Sequence, residues 1–336
     1  MSKKSYLQAI NEAIAGEMAR DENVVVMGED VAGGHGAGGP TGSVGGIFGV
    51  TSGLYDKFGA ERVIDTPITE SAIMGLAAGA ATTGLRPVAE LMFVDFLGVC
   101  FDQIYNQAAK FRYMFGGKAK TPLVIRSTIG AGLRAGAQHS QTLHPMFTMV
   151  PGLKVVMPSS PYDAKGLMIE AIRDDDPVIF LESKLLYAME EEVPDEAYTI
   201  PFGEGNVVQD GDDITIIGFG AMIPRIQAVA SKLAKEGISV EIVDPRTTSP
   251  LDDETILESV EKTGRLVVVD ESPPRCSLAA DIAALVADEG FDDLKAPIKQ
   301  VTCPHTPVPF APNLEDEFLP NPRRIEEAVR AVLKHG

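Results

Sequence analysis

The chain has 336 residues, a length that ordinarily folds as two domains and buries a core without disulfide or metal staples. Its 45% hydrophobic and 23% charged residues exclude a disordered or fibrous chain. A net charge of −19 repels phosphate backbones and anionic lipid, so neither nucleic acid nor a membrane is expected as a partner.

The N-terminal residues Met1-Ser2-Lys3-Lys4-Ser5-Tyr6 lead into no apolar run of a secretory signal, so a cytoplasmic location is expected. From there, short β-branched runs alternate with segments of helical length. Strands are predicted at 24–27, 62–65, 87–93, 123–126, 154–157 and 178–181. Helices are predicted at 6–20, 71–83, 96–115 and 162–173. Such alternation implies a parallel sheet covered by helices. Residues 188–205 are acidic, contain Pro194 and Pro201 and lack a period, which reads as a linker. A second series follows, with strands at 214–218, 240–243, 266–269 and 298–302. Its helices are predicted at 223–235, 253–262, 277–287 and 322–333. The expected organisation is an α/β chain of two domains, 1–190 and 206–336, joined by 191–205.

Glycine-rich strings invite a test for dinucleotide binding. Gly34-His35-Gly36-Ala37-Gly38-Gly39 follows a predicted strand, but Pro40, Gly42, Gly45 and Gly46 come next. No helix can start there to hold a pyrophosphate, and Gly130-Ala131-Gly132-Leu133-Arg134-Ala135 has the same defect. A nicotinamide enzyme is therefore not expected. Cys100, Cys276 and Cys303 lie too far apart for a metal-binding spacing.

Two strand ends are more informative. Asp65-Thr66-Pro67-Ile68-Thr69-Glu70 runs into a helix of small residues, and Glu90-Leu91-Met92-Phe93-Val94-Asp95-Phe96 runs from strand into helix. In parallel α/β folds, ligands sit beyond such ends. On spacing alone, Glu70 is first of all a carboxylate complementing a helix dipole, and Met92 and Phe96 are core residues. Gln138-His139-Ser140-Gln141 places an imidazole in a polar loop, where it can carry protons. It has no carboxylate partner in sequence that would make a catalytic triad.

The order of motifs closely resembles the β subunits of thiamine-diphosphate-dependent dehydrogenases in 2-oxo-acid dehydrogenase complexes. It rests on Gly28-Glu29-Asp30-Val31, the Asp65–Glu70 string, Gly84-Leu85-Arg86-Pro87-Val88-Ala89-Glu90, Ala108-Ala109-Lys110, His139-Ser140-Gln141 and Pro151-Gly152-Leu153-Lys154-Val155-Val156. The likeness covers essentially the whole chain. Lys110-Phe111-Arg112-Tyr113-Met114-Phe115 and Pro274-Arg275-Cys276-Ser277 look most like the acetoin dehydrogenase branch, with the pyruvate dehydrogenase branch as the alternative.

The resemblance implies a transketolase-like pyrimidine-binding domain followed by a transketolase C-terminal-like domain. It implies cleavage of acetoin by ylid attack on a carbonyl, with the two-carbon unit passed to a lipoyl acyltransferase. Glu70 matches the glutamate that bonds the cofactor's aminopyrimidine, Phe96 and Met92 its apolar contacts, and Glu29 a nearby carboxylate. His139 matches an imidazole that handles or transfers the two-carbon unit. Leu123, Ala171, Ile172, Asp174 and Asp176 match a structural potassium site. The pattern departs at Met149, where relatives carry His, so no second imidazole role is carried over. The family anchors Mg²⁺ and diphosphate through a GDG string with a downstream Asn pair. This chain offers only Gly211-Asp212-Asp213 and no Asn-Asn. It therefore reads as half a site, completed by an α subunit in an assembly of two α and two β chains. A non-catalytic partner protein that only completes an interface is the rival class.

Overall fold

A computed structural model describes residues 1–33 and 45–335, so the Gly34–Gly39 string lies outside the described residues. The chain divides into two compact units, Met1–Ile129 with Met146–Phe202, and Gly130–Pro145 with Gly203–Gly336. Residues 130–145, which interrupt the predicted first domain, thus pack with the second unit.

In the first unit, helix Tyr6–Arg20 starts where expected because Ser5 and Gln8 form a capping box. Its apolar stripe of Ala9, Ile10, Ala13, Ile14 and Met18 is buried, at helical spacing. Burying each of the larger aliphatic side chains contributes about 1.5–3 kcal/mol. Glu17 is buried too, and Arg173 holds it through Nη2 at 2.7 Å. Helix Pro161–Arg173 packs beside it, capped by Ser160 with Pro161 in the first turn.

Six strands of this unit lie in the order Lys154–Val156, Val178–Ser183, Val124–Ile129, Arg86–Phe93, Val24–Gly28, Val63–Asp65. Every neighbouring pair is parallel. The inner strands are buried almost without interruption, as expected for a sheet covered on both faces.

Two predictions need correction. The single helix expected over 96–115 is broken into a 3₁₀ turn Val94–Phe96, helix Leu97–Asp102, a π-helical stretch Gln103–Ala108 and helix Phe111–Met114. The widened turn keeps Leu97, Cys100, Ile104 and Ala108 buried along one face. The stretch read as a linker contains strand Glu190–Val193, antiparallel to Ser2–Ser5. Its acidic side chains face a lysine-bearing partner, and Lys3 meets Glu190 at 2.6 Å.

In the second unit, five strands run Lys299–Thr302, Leu266–Asp270, Ile214–Gly218, Val240–Asp244, Asn206–Gln209. All neighbours are parallel except the last pair. Helices Met222–Ala234, Asp253–Thr263, Leu278–Glu289 and Pro322–Leu333 fall close to the predicted spans. Asn321 caps the last of them, with Pro322 in its first turn. No described helix is long and apolar enough to cross a membrane.

Candidate functional site

The parallel register brings three strand ends together. Gly28 lies beside Asp65, and Met27 beside Ala89. Gly28 permits the close approach, because a Cβ there would lie 2.9 Å from the Glu90 Cβ. Glu29 and Glu70 follow two of these ends, Met92 lies at the end of strand Arg86–Phe93 and Phe96 just past it, so the first unit gathers four of the predicted site residues near the strand ends.

Glu70 is the first residue of helix Glu70–Thr82, preceded by extended Thr69. It is 8% exposed, and the Thr69 hydroxyl donates to its Oε2 at 3.4 Å. The helix N-terminus favours its negative charge. Glu29, half-buried, has its carboxyl raised above the usual value, first by burial and then by the charges of Glu70, Asp30 and Glu90. The negative charges around Glu29 thus oppose its ionisation. Such a site favours a ligand that brings hydrogen-bond donors or a shared proton. Cys100 is pushed up to about 12 by burial and by Glu70, so it remains a thiol at neutral pH.

Met92 is the extra residue of a bulge. Leu91 pairs with Ser127 and Phe93 with Thr128, leaving Met92 between them. Bulges re-aim side chains, and its carbonyl accepts from the Thr128 hydroxyl at 2.7 Å. Phe96, half-buried, meets the buried Phe93 ring edge-on at 5.7 Å. Phe93 is in turn held by Phe48, at 6.0 Å, and by the Lys184 ammonium, 5.0 Å from its centre.

Beneath this region lies a charged network for which the sequence reading made no prediction. Arg126, 2% exposed, donates from Nε and Nη2 to the two oxygens of Glu182 at 2.7 and 2.9 Å, and from Nη1 to Glu90 at 2.8 Å. Arg126 stands opposite Glu90 in the sheet, and Glu182 pairs with Thr128, so the three residues share one face. The Tyr187 hydroxyl donates to Glu182 at 2.7 Å. Burial raises the Glu90 carboxyl and Arg126 only partly offsets it. Burial works against the Arg126 charge, but Glu182 and Glu90 overcome it and hold the guanidinium protonated. An arginine after the apolar run Leu123-Val124-Ile125 was the available signal, because a buried charge requires a partner.

The residues expected around potassium gather at the end of helix Pro161–Arg173. Arg86 Nη1 donates to the carbonyls of Ile172 and Asp174 at 3.1 and 2.8 Å. Lys154 Nζ lies 2.5 Å from the Asp174 carboxylate, whose other oxygen accepts the Asp176 N–H at 2.8 Å. The Leu123 carbonyl accepts from Val178 at 2.8 Å. Oxygen donors at a helix C-terminus suit a hard cation, but the protein's own Arg86 and Lys154 already serve several of them. Among the described residues, no group of three or more His, Cys, Asp or Glu is arranged to hold a metal. In chemistry, the carboxylates of Glu29 and Glu70 with the apolar Met92 and Phe96 suit an aromatic ring that carries hydrogen-bond donors.

His139 lies in the second unit, half-buried, in a turn closed by its own N–H on the Gly136 carbonyl at 3.4 Å. His144, in the same segment, is buried with Nε2 3.3 Å from Asp270 Oδ1. Met149 is 75% exposed.

With this geometry in hand, comparison with known proteins is specific. Residues 2–190 match "Transketolase, pyrimidine binding domain" and residues 203–325 match "Transketolase, C-terminal domain". The acetoin:2,6-dichlorophenolindophenol oxidoreductase subunit beta of Cupriavidus necator is 61% identical, over 99% of this chain and 98% of that protein. Its Bacillus subtilis counterpart is 56% identical, over 98% and 97%. The Bacillus subtilis pyruvate dehydrogenase E1 component subunit beta is 44% identical, over 99% and 100%. A solved split-gene transketolase, described as an inactive beta4 tetramer, shares the fold at TM-score 0.78 and 23% identity, covering 98% of each chain.

Proposed function

The chain belongs to the family of dehydrogenase β subunits built from transketolase-type pyrimidine-binding and C-terminal domains, and from that premise we propose that it is the β subunit of a thiamine-diphosphate-dependent acetoin dehydrogenase. The observation that carries this reading is the gathering of Glu29, Glu70, Met92 and Phe96 at one sheet edge in a chain 61% identical to an acetoin oxidoreductase subunit. Thiamine diphosphate, when bound, supplies a nucleophilic carbon that adds to a ketone carbonyl. The Glu70 carboxylate would share a proton with a nitrogen of the cofactor's aminopyrimidine ring. Glu29 lies close enough for its own proton affinity to respond to Glu70. Met92 and Phe96 would offer apolar surface to the ring and keep water from it. His139 would move a proton at its imidazole during transfer of the two-carbon unit.

An α subunit supplies the diphosphate and Mg²⁺ half, in an assembly of two α and two β chains. A lipoyl acyltransferase receives the product, and the complex works in the cytoplasm. Potassium at the end of helix Pro161–Arg173 stabilises the fold alongside Arg86. Potassium but not sodium then raises the melting temperature of the complex; equal effects of the two ions reject that site.

The second reading is a pyruvate dehydrogenase β subunit, favoured by the 44% identity to one. Co-expression with the α partner and assay with an artificial electron acceptor separates them. Acetoin is expected to be turned over at least roughly tenfold more efficiently than pyruvate, a discrimination of about 1.4 kcal/mol. The reverse preference selects the second reading. Glu70→Gln is expected to slow turnover by about 10²–10⁴-fold with the melting temperature and α/β assembly retained. Deuterium exchange at the thiazolium carbon locates the defect, and exchange at the wild-type rate would refute the role of Glu70.

A further inference from the structure

Three carboxylates of the second unit are buried and turned toward one loop. Asp270 and Glu315 are 0% exposed and Glu271 is 9% exposed. Glu271 Oε1 accepts the Ala131 N–H at 2.7 Å. Glu315 accepts the Gly132 N–H at 2.9 Å on Oε1 and the Arg134 N–H at 3.2 Å on Oε2. The Arg134 guanidinium also donates to Glu315 Oε2, and its other nitrogen reaches Asp316 at 2.7 Å. Asp270 closes the segment at its far end through His144, at 3.3 Å. Helix Pro312–Phe318, which carries Glu315, and strand Leu266–Asp270 thus hold residues 131–144 from both ends.

The loop's glycines suit this shape, and one residue of it does not. Gly130, Gly132 and Gly136 have φ of 97°, 108° and 78°, and Arg134 has φ of 58° without being glycine. An L side chain in the left-handed region is strained, and here the anchoring of Arg134 offsets the strain. Gly130 also sits so close that a Cβ would lie 3.0 Å from Glu271 Oε1. Buried carboxylates are costly unless bonded. Two of these three are bonded to loop amides, so their satisfaction depends on the loop keeping this path.

We propose that Glu315, together with Glu271 and Asp270, is a positioning residue that holds the loop of His139 in its working conformation. The catalytic imidazole is thereby placed by the second unit. This inference rests on the role given to His139 above, and its test keeps the two separable.

The full chain is reconstituted with its α partner as wild type, Glu315→Gln, Arg134→Gly and His139→Ala. Arg134→Gly removes the guanidinium while suiting the φ of 58°. Amide hydrogen exchange is read over 131–139, with strand Leu266–Asp270 as reference. Acylation of a free lipoyl domain and deuterium exchange at the thiazolium carbon are read beside it. Both anchoring variants are expected to speed amide exchange over 131–139 by roughly tenfold or more, the loss of a charge-assisted bond. They should slow lipoyl acylation by about tenfold, leaving KM for acetoin and thiazolium exchange near wild type. Unchanged amide exchange, or faster amide exchange with wild-type acylation, overturns the proposal. So does a uniform rise that includes the reference strand with loss of thiazolium exchange, because the residues then serve only the fold. If Glu315→Gln does not fold, Arg134→Gly decides by the same criteria. Wild-type acylation in His139→Ala instead removes the role of the imidazole, whatever the loop does.

Discussion

Both units bury carboxylates, and they draw the partners from different places. In the first unit Glu90 and Glu182 share one cation, Arg126, and all three residues stand on neighbouring strands of one sheet. In the second unit Glu271 and Glu315 take backbone amides from residues 140 and 183 positions away in sequence. A guanidinium on the same sheet stays in place as long as the sheet does. An amide on an excursion is available only while the excursion keeps its path. The first arrangement makes a rigid floor beneath Glu29 and Glu70, and the second ties a loop to a scaffold.

The largest expected effect removes the shared cation. Arg126→Met leaves two buried carboxylates without their cation, with only the Tyr187 hydroxyl still on Glu182, a defect that typically costs about 3–5 kcal/mol. Loss of soluble protein or a fall of many degrees in melting temperature is the expected outcome. The counterpart, Glu271→Gln, keeps a neutral acceptor for the Ala131 N–H and should cost about 1–2 kcal/mol. Equal losses in the two variants would dissolve the distinction between floor and tether.

Acidity divides the units in sign. Burial lifts the Glu90 carboxyl above its unfolded value, with Arg126 opposing. A raised carboxyl contributes stability below the unfolded pKa and loses it as pH rises through the folded pKa. Burial would raise Asp270 too, but His144 and the donors of Ser272 outweigh it and hold that carboxyl low. Its contribution is present above the unfolded pKa, about 4, and is lost as pH falls through the folded value. Hydrogen exchange across a pH series, corrected for intrinsic rates, should show strand Arg86–Phe93 weakening upward from about pH 4. Strand Leu266–Asp270 should weaken in the other direction. Parallel trends in both strands would contradict the assignment.

Much of this was legible in the sequence, for identifiable reasons. Helices Tyr6–Arg20 and Pro322–Leu333 were found because cap and apolar stripe agree locally. The buried strands were found because apolar runs bounded by Gly and Pro need no tertiary information. Glu190–Val193 was not found, because its polar residues pair with polar Ser2–Ser5 and neither run signals burial. The break in 97–114 depends on how the helix packs and not on any Pro. Glu70 and Phe96 were named through the family likeness, since alone they read as a dipole partner and a core residue. The Arg126 network needed the sheet register, and the anchoring of residues 131–144 needed contacts across more than a hundred positions. Local pattern carries neither.

The smallest expected effect calibrates the comparison with a defect that carries no charge. Ser160 caps helix Pro161–Arg173 by accepting the Asp163 N–H at 3.1 Å, and Ser277 caps helix Leu278–Glu289 by accepting the Ala280 N–H at 3.1 Å. Replacing either by Ala typically costs about 1 kcal/mol, so local exchange should rise about fivefold in its own helix. The neighbours of the two caps differ. Asp270 Oδ2 accepts the Ala279 N–H at 3.3 Å, one residue before the amide that Ser277 caps. A frayed start to that helix therefore disturbs the carboxylate that meets His144. Ser277→Ala should loosen residues 131–144 along with its own helix. Ser160→Ala should leave strand Arg86–Phe93 within about twofold of wild type, because the lost cap frays only the first turn of its own helix. If Ser277→Ala raises exchange in its helix alone, Asp270 does not couple the helix to the loop, and the tether reduces to Glu271 and Glu315.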